Sequence, residues 1–193
     1  MINTPLRILL VEDFKTDADL IIFHLHKIVK NLEVKLVDNL KDFKSEMNVF
    51  IPDLVLSDYN LPTCSGLDVL NLLKQGYSNT PLIFITGTLE SEEMAANTIL
   101  AGASGFILKK NMSNLQDKLK PLIKKAVFNM SQKVEIREKI RNNRIAVNQI
   151  YRYLDDMNSD NAEHKQSLLN IKESMDKLKL EDENDARTIK KRD

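Results

Sequence analysis

Acidic side chains stand at two points in the N-terminal half of the chain where an apolar run ends. Glu12 and Asp13 follow the run Arg7–Val11, and Asp58 follows the segment Asp53–Ser57. An apolar strand with a carboxylate at its C-terminal end places that carboxylate at the edge where open α/β sheets bind ligands. The spacing therefore predicts a reactive carboxylate at Asp58 and favours a phosphorylation switch.

The acid pair and the single acid are expected to share one pocket. Neighbouring strands of a parallel sheet end at the same edge, so Glu12, Asp13 and Asp58 would converge there. Three carboxylates at short range repel one another unless a cation lies between them. A hard divalent ion suits such a site, and Mg²⁺ is the usual choice because it leaves positions for water and phosphate. The sequence thus predicts a Mg²⁺ site.

Two later apolar runs end in groups that suit the oxygens of a phosphoryl group. The fourth run ends at Thr86, whose hydroxyl is followed by Gly87, a residue with no side chain to block an approach. The fifth run ends at Lys109, a compact point cation. Each group alone is a weak indication. An acid pair, a lone acid, a hydroxyl and a lysine at successive strand ends form a specific pattern.

The elements that must position these groups are short apolar runs separated by stretches with helical spacing. After the first run, for example, Leu20, Phe23, His24 and Lys27 follow the spacing of an amphipathic helix. Apolar strands that alternate with helices require crossovers, and hence a parallel sheet covered on both faces. We therefore predict five βα units in a doubly wound α/β domain over residues 1–128. The five runs are Arg7–Val11, Val34–Val37, Leu54–Leu56, Leu82–Ile85 and Phe106–Leu108.

The composition changes beyond about residue 130, where glycine and proline no longer occur. Positions from Ile136 to Leu178 repeat at spacings of three and four and are mostly apolar, which is typical of a coiled-coil seam; its polar interruptions are Asn143, Asn161 and His164. We predict an all-α extension over residues 129–180. It is either one long helix that pairs with a second chain, as in a homodimer, or a helical hairpin with a break near Asp160. Residues 181–193 are charged and are expected to be disordered.

Composition and charge exclude several classes of function. Lys and Arg together number 28, as do Asp and Glu, so no net charge draws the chain to nucleic acid or to an anionic membrane. The single cysteine, Cys64, excludes an internal disulfide and fits a reducing compartment. No apolar run approaches the roughly 20 residues of a membrane span, and no signal-type apolar region opens the chain. We expect a cytoplasmic protein without nucleic-acid or membrane partners.

The acidic residues, the hydroxyl and the lysine at these strand ends give residues 6–128 a resemblance to the receiver domain of two-component response regulators, of the chemotaxis-regulator kind. The resemblance implies a flavodoxin-like fold, with a five-stranded parallel sheet in the order 2-1-3-4-5. The motifs that carry the resemblance are Glu12-Asp13, Asp58 followed by Leu61-Pro62 and Gly66, Thr86-Gly87, and Ala101-Gly102-Ala103 leading to Lys109.

The resemblance implies that Asp58 is the phosphoacceptor. It would take a phosphoryl group from the phosphohistidine of a sensor histidine kinase in a Mg²⁺-dependent reaction. Asp13 and Asp58 would bind Mg²⁺ through their side chains, and Glu12 would act largely through bound water. The backbone carbonyl of Asn60 would complete the metal site.

The same resemblance assigns roles to the later strand ends. Thr86 and Lys109 would hold the phosphoryl oxygens, and the domain would catalyse only its own phosphorylation and dephosphorylation. The hydroxyl of Thr86 would be coupled to the ring of Phe106 as a switch, with the ring biased inward. A core role for Phe106 is the simpler alternative. Lys110 replaces the proline that usually follows Lys109 in this family, so a trans bond is expected there.

The predicted output is protein–protein interaction with a downstream partner, through the receiver face and the helical extension. The alternative is the N-terminal receiver and signalling linker of a larger hybrid histidine kinase or other multidomain signalling enzyme. A metal-dependent phosphatase is disfavoured, because such enzymes commonly carry a second acid two residues after the nucleophile, where this chain has Asn60. Nucleotide binding is disfavoured because no Gly-rich phosphate loop follows any of the runs.

Overall fold

Strands and helices alternate in the N-terminal part of the molecule, as the spacing of the apolar runs requires. The computed structural model describes residues 1–77, 79–87, 92–131, 142–143 and 145–150. A short 3₁₀ segment, Lys109–Asn114, joins the strand that ends at Leu108 to the helix that begins at Leu115, and its Lys109–Lys110 bond is trans as expected. The strands are β1 (Leu6–Val11), β2 (Leu32–Val37), β3 (Leu54–Ser57), β4 (Leu82–Thr86) and β5 (Gly105–Leu108). The helices are α1 (Lys15–Ile28), α2 (Leu40–Val49), α3 (Gly66–Gly76), α4 (Glu92–Leu100) and α5 (Leu115–Ser131).

The five described strands run parallel in one sheet, in the order β2-β1-β3-β4-β5. Parallel strands need crossover connections, and a helix lies between each strand and the next in the chain. The inner strands β1, β3 and β4 are almost entirely buried, because helices cover both faces of the sheet. The predicted flavodoxin-like, doubly wound fold and its strand order are confirmed.

Two apolar clusters, one on each face of the sheet, form the core. Side chains of β1 alternate between them, since Ile8 and Leu10 belong to one cluster and Leu9 and Val11 to the other. The first cluster joins the sheet to α1 and α5, and the second joins it to α2 and α3. Burial on both faces fixes the register of the strands, so their carboxyl ends meet at one edge.

The buried face of α1 is rotated from the stripe that the sequence indicated. Phe23 is 54% exposed, and the ammonium of Lys27 lies 4.0 Å from the centroid of its ring. A cation–π contact on the solvent side stabilises the exposed ring. Of that stripe His24 lies on the core face, and other side chains line the rest of it. The buried residues of α1 are Ala18, Ile21, His24, Leu25 and Ile28.

The chain divides into two compact units, Met1–Val134 and Glu135–Asp193. In the second unit, residues 145–150 are helical. The predicted coiled coil or hairpin of residues 129–180 lies mostly outside the described residues, and the predicted disordered tail of residues 181–193 lies entirely outside them. Among the described helices, none has both the length and the apolar composition that crossing a membrane requires.

Candidate functional site

The predicted site residues lie at the carboxyl edge of the sheet. Glu12, Asp58 and Lys109 each follow the last residue of a strand, which is β1, β3 and β5 respectively, and Thr86 is the last residue of β4. The amide of Asp58 donates to the carbonyl of Val11 at 2.9 Å, so the pairing of β1 with β3 continues into the pocket. This pairing brings the acidic ends of the two strands side by side.

Glu12, Asp13 and Asp58 form an acidic cluster. One carboxylate oxygen from each lies within 4.8 Å of the others. Glu12 and Asp58 are buried, and Oδ1 of Asp13 is buried without a hydrogen-bond partner among the described residues. Burial raises the pKa of Glu12, despite the nearby ammonium of Lys109, because a buried carboxylate is poorly solvated. Three carboxylates against one ammonium leave the cluster with a net negative charge.

Lys109 supplies the positive charge of this cluster. Its ammonium nitrogen Nζ donates to Glu12 Oε2 at 2.7 Å, to Asp58 Oδ2 at 2.8 Å and to Asp17 Oδ2 at 2.8 Å. Burial alone would lower the pKa of Lys109, but the hydrogen bonds to these three carboxylates outweigh it and raise that pKa well above the ordinary lysine value. Lys109 therefore stays charged across the physiological range of pH.

The loop after Asp58 is held close to the pocket by its own hydrogen bonds. The amide of Asn60 donates to Asp58 Oδ1 at 3.1 Å, and the amide of Gly66 donates to the carbonyl of Tyr59 at 2.7 Å. A Cβ at Gly66 would lie 3.1 Å from the carbonyl oxygen of Asp58 and 2.5 Å from a ring carbon of Phe84. Glycine, which has no Cβ, permits this close approach. The loop thereby fixes the backbone at Asp58.

A capping box at the start of α3 ends this loop. The hydroxyl of Ser65 accepts a hydrogen bond from the amide of Asp68, and the carboxylate of Asp68 accepts one from the amide of Ser65 at 2.8 Å. These hydrogen bonds to the charged form lower the pKa of Asp68. Two amides that the first turn of the helix leaves without helical partners are satisfied in this way, so the start of α3 is well defined.

Thr86 and Phe106 occupy neighbouring strands near the pocket. Thr86 is fully buried at the end of β4 and pairs in register with Leu108 of β5. Phe106 pairs in register with Phe84, and its half-buried side chain packs against the cluster beneath α2 and α3. The contact of Thr86 with a phosphoryl oxygen and its coupling to the Phe106 ring stay predictions.

The donor set of the acidic cluster fits Mg²⁺. The three side chains offer only carboxylate oxygens, which hard divalent ions prefer as ligands. A divalent cation would satisfy the buried, unpartnered Oδ1 of Asp13 and would neutralise the repulsion between Asp13, Glu12 and Asp58. The use of the Asn60 carbonyl as a further ligand stays a prediction.

Asp17 belongs to the site and was not predicted from the sequence. It lies in the first turn of α1, where acidic residues are common because they interact favourably with the helix dipole. Its type and position therefore gave no signal of another role. Only the fold brings Asp17 to Lys109, which lies 92 residues away along the chain.

The fold and the site together define a receiver-type domain, with an acidic cluster and a lysine at the carboxyl edge of a doubly wound sheet. The family model of the response regulator receiver domain matches residues 8–120, and the chain belongs to this family. It contains a receiver domain of two-component systems. Such domains bind Mg²⁺ at an acidic pocket and have a histidine kinase as their partner.

Two curated relatives share this domain. The chain is 39% identical over 106 residues to the uncharacterized transcriptional regulatory protein YvcP of Bacillus subtilis, a match that covers 53% of this chain and 42% of that protein. It is 31% identical over 100 residues to the luminescence regulatory protein LuxO of Vibrio campbellii, which covers 52% of this chain and 21% of that protein. The chain thus spans less than half the length of either relative.

Solved receiver structures have the same fold. The signal receiver domain of a putative Luxo repressor protein from Vibrio parahaemolyticus is 28% identical, with a TM-score of 0.58, and the match covers 65% of this chain and 95% of that one. The chemotaxis response regulator CheY4 of Vibrio cholerae is 21% identical, with a TM-score of 0.54 and coverages of 62% and 99%. At that identity the likeness to CheY4 concerns the fold alone.

Proposed function

We propose that the domain accepts a phosphoryl group on Asp58 from the phosphohistidine of a histidine kinase. One carboxylate oxygen of Asp58 forms a bond to phosphorus while the phosphorus–nitrogen bond breaks. The imidazole nitrogen keeps the electron pair and takes a proton from solvent, and the product is an acyl phosphate. The observation that carries this proposal is the buried Asp58 carboxylate, 2.8 Å from the ammonium of Lys109 at the carboxyl edge of the sheet.

The chain's own groups serve this transfer by alignment and by charge. The amide of Asn60, 3.1 Å from Asp58 Oδ1, holds the carboxylate in one orientation. The Lys109 ammonium can donate to a phosphoryl oxygen and offset its negative charge. Mg²⁺ held by Glu12, Asp13 and Asp58 would supply further charge neutralisation. Attack of water on the acyl phosphate releases inorganic phosphate and returns the carboxylate. In this proposal the domain catalyses only its own phosphorylation and dephosphorylation.

The proposed readout of the phosphoryl group runs through Thr86 and Phe106. A phosphoryl oxygen on Asp58 would accept a hydrogen bond from the Thr86 hydroxyl and draw it inward. The ring of Phe106, which is already half-buried, would then fill the space that the hydroxyl leaves. The face formed by α4, β5 and α5 would change shape as a result.

Phosphorylation can be tested by incubating the full chain with phosphoramidate and Mg²⁺ and measuring the intact mass. We expect the parent to gain one phosphoryl group and Asp58→Asn to gain none. Asp38→Asn is the matched control, because Asp38 also directly follows a strand, β2, but is exposed. Equal labelling of Asp58→Asn and the parent would contradict the proposal.

The proposed output is protein–protein interaction, through the receiver face and the segment of residues 129–180. The zero net charge of the whole chain and the coiled-coil spacing of residues 129–180 support this output. The name of the relative YvcP, a transcriptional regulatory protein, favours DNA binding as a second candidate output. Light scattering and a DNA mobility-shift assay, each with and without beryllofluoride as a phosphoryl mimic, distinguish the two. A mimic-dependent mass supports protein pairing, whereas mimic-dependent DNA retention supports DNA binding.

A further inference from the structure

The ammonium of Lys109 uses all three of its hydrogen-bond donors in this structure. An ammonium carries three N–H groups. Three carboxylates accept from it, those of Glu12 at 2.7 Å and of Asp17 and Asp58 at 2.8 Å each. The donors of Lys109 are therefore occupied before any phosphoryl group reaches the pocket.

Phosphorylation of Asp58 as proposed above requires one of these hydrogen bonds to be exchanged for one to a phosphoryl oxygen, so the inference rests on that proposed function. Phosphorylation converts the Asp58 carboxylate into an acyl phosphate, whose remaining carboxyl oxygen can still accept from Lys109. The other two carboxylates differ in exposure: the side chain of Glu12 is 0% exposed and that of Asp17 is 37% exposed. A buried carboxylate that loses its partner stays unsolvated, whereas water can replace the partner of an exposed one. The hydrogen bond to Asp17 thus costs least to break.

We propose that Asp17 is a placeholder: in the unphosphorylated protein its carboxylate accepts the hydrogen bond that Lys109 later donates to the phosphoryl group on Asp58. Its carboxylate oxygen is an anionic acceptor, as a phosphoryl oxygen is, so the two compete for the same N–H group. In the unphosphorylated protein Asp17 orients the ammonium of Lys109. On phosphorylation Asp17 releases that donor and is hydrated. Asp17 is therefore a positioning residue that acts through Lys109 and lowers the affinity of the pocket for a phosphoryl group.

Replacement of Asp17 by asparagine removes the competing charge and keeps the size of the side chain. We expect Asp17→Asn to bind beryllofluoride, in the presence of Mg²⁺, about two- to fivefold more tightly than the parent, the factor that matches the strength of a partly exposed ion pair. Its rate of phosphorylation by phosphoramidate should rise by a similar factor. Hydrolysis of the acyl phosphate should keep the parent's rate, because Asp17 no longer contacts Lys109 in that form.

Asp19→Asn is the matched control. Asp19 lies on the same helix, is exposed, and loses the same charge on substitution. Isothermal titration with beryllofluoride and Mg²⁺ should show unchanged affinity for Asp19→Asn. Equal increases in both variants would indicate a general effect of charge and overturn the placeholder. An unchanged or weaker affinity in Asp17→Asn would overturn it too, as would a hydrolysis rate that changes as much as the phosphorylation rate.

Asp58→Asn separates this inference from the proposed function. If the parent binds beryllofluoride with Mg²⁺ and Asp58→Asn does not, the phosphoacceptor proposal stands, and the behaviour of Asp17→Asn alone decides on the placeholder. If the parent and Asp58→Asn bind equally, or if neither binds, the phosphoacceptor proposal fails and the placeholder fails with it.

Discussion

Asp13→Asn should stabilise the protein when no divalent cation is present. Asp13 contributes a third carboxylate to the cluster in which oxygens of Glu12, Asp13 and Asp58 lie within 4.8 Å of one another. Its Oδ1 is buried without a hydrogen-bond partner among the residues that the structure describes. An asparagine of the same shape removes one negative charge and adds N–H groups from which the neighbouring carboxylates can accept.

The size of the gain follows from the distances. Two unit charges 4.8 Å apart repel by about 0.9 kcal/mol with the screening of bulk water and by about 3.5 kcal/mol at an effective dielectric constant of 20. Asp13 faces two such carboxylates, but it is only half-buried and the charge of Lys109 offsets part of the repulsion. We expect the free energy of unfolding to rise by about 2 kcal/mol, which is roughly 1 M in the urea midpoint.

Urea unfolding of the full chain, followed by circular dichroism in the presence of EDTA, measures this gain. Asp19→Asn serves as the control, because the same charge is lost from an exposed position of α1. Added Mg²⁺ should stabilise the parent, since an ion that binds the folded state shifts the equilibrium toward it. Asp13→Asn has lost a carboxylate ligand and should gain less from the ion.

Two results would refute this reasoning. One is a midpoint of Asp13→Asn in EDTA that equals or falls below that of the parent, because the carboxylates would then not be under mutual repulsion. The other is equal stabilisation of the parent and the variant by Mg²⁺, because Asp13 would then contribute nothing to the binding of the ion.

Three further changes test the packing and the electrostatics around the site. Gly66→Ala would bring a Cβ within 2.5 Å of Phe84 and should lower the free energy of unfolding by about 1–3 kcal/mol. Gly76→Ala should not, because nothing in the described structure beyond its chain neighbours and the backbone of its own helix lies within 4 Å of the added Cβ, and thermal unfolding compares the two variants. The raised pKa of Glu12 means that the folded state binds its proton more tightly than the unfolded chain does. The free energy of unfolding of the parent, relative to Glu12→Gln, should therefore fall as the pH rises from below 4.5, the ordinary pKa, through the raised pKa, and urea midpoints across that range check the sign. Ser65→Ala should lower the free energy of unfolding by about 1 kcal/mol because α3 loses its cap, and Ser65→Asp should retain most of it, as urea midpoints would show.

The sheet and the acidic cluster could be predicted because each depends on local patterns in the sequence. Strands that are buried on both faces are continuous apolar runs, and residues that directly follow such runs meet at one edge of a parallel sheet. Glu12, Asp58 and Lys109 were found in this way, from the points where three runs end. Their short distances in the structure follow from the strand order.

Asp17 and the buried face of α1 could not be predicted, because both depend on how α1 is rotated against the sheet. Helical spacing admits several apolar stripes, and Phe23, although large and apolar, stays largely exposed with the ammonium of Lys27 over its ring. The rotation that buries Ile21 also brings Asp17 to the ammonium of Lys109. Because the sequence does not determine the rotation of α1 about its axis, neither the burial of Ile21 nor the contact of Asp17 with Lys109 could be predicted.

The hydrogen bonds of Lys109 join parts of the chain that a ribosome makes at different times. Glu12 and Lys109 are separated by 97 residues, and β5, which Lys109 directly follows, is an edge strand of the described sheet. During synthesis β1 and β3 emerge before β5, so their carboxylates have no contact with the Lys109 ammonium until the last strand docks. Completion of the pocket thus coincides with completion of the sheet. A nascent chain that does not yet contain β5 has the carboxylates of Glu12 and Asp58 but lacks Lys109, the lysine that would contact a phosphoryl group.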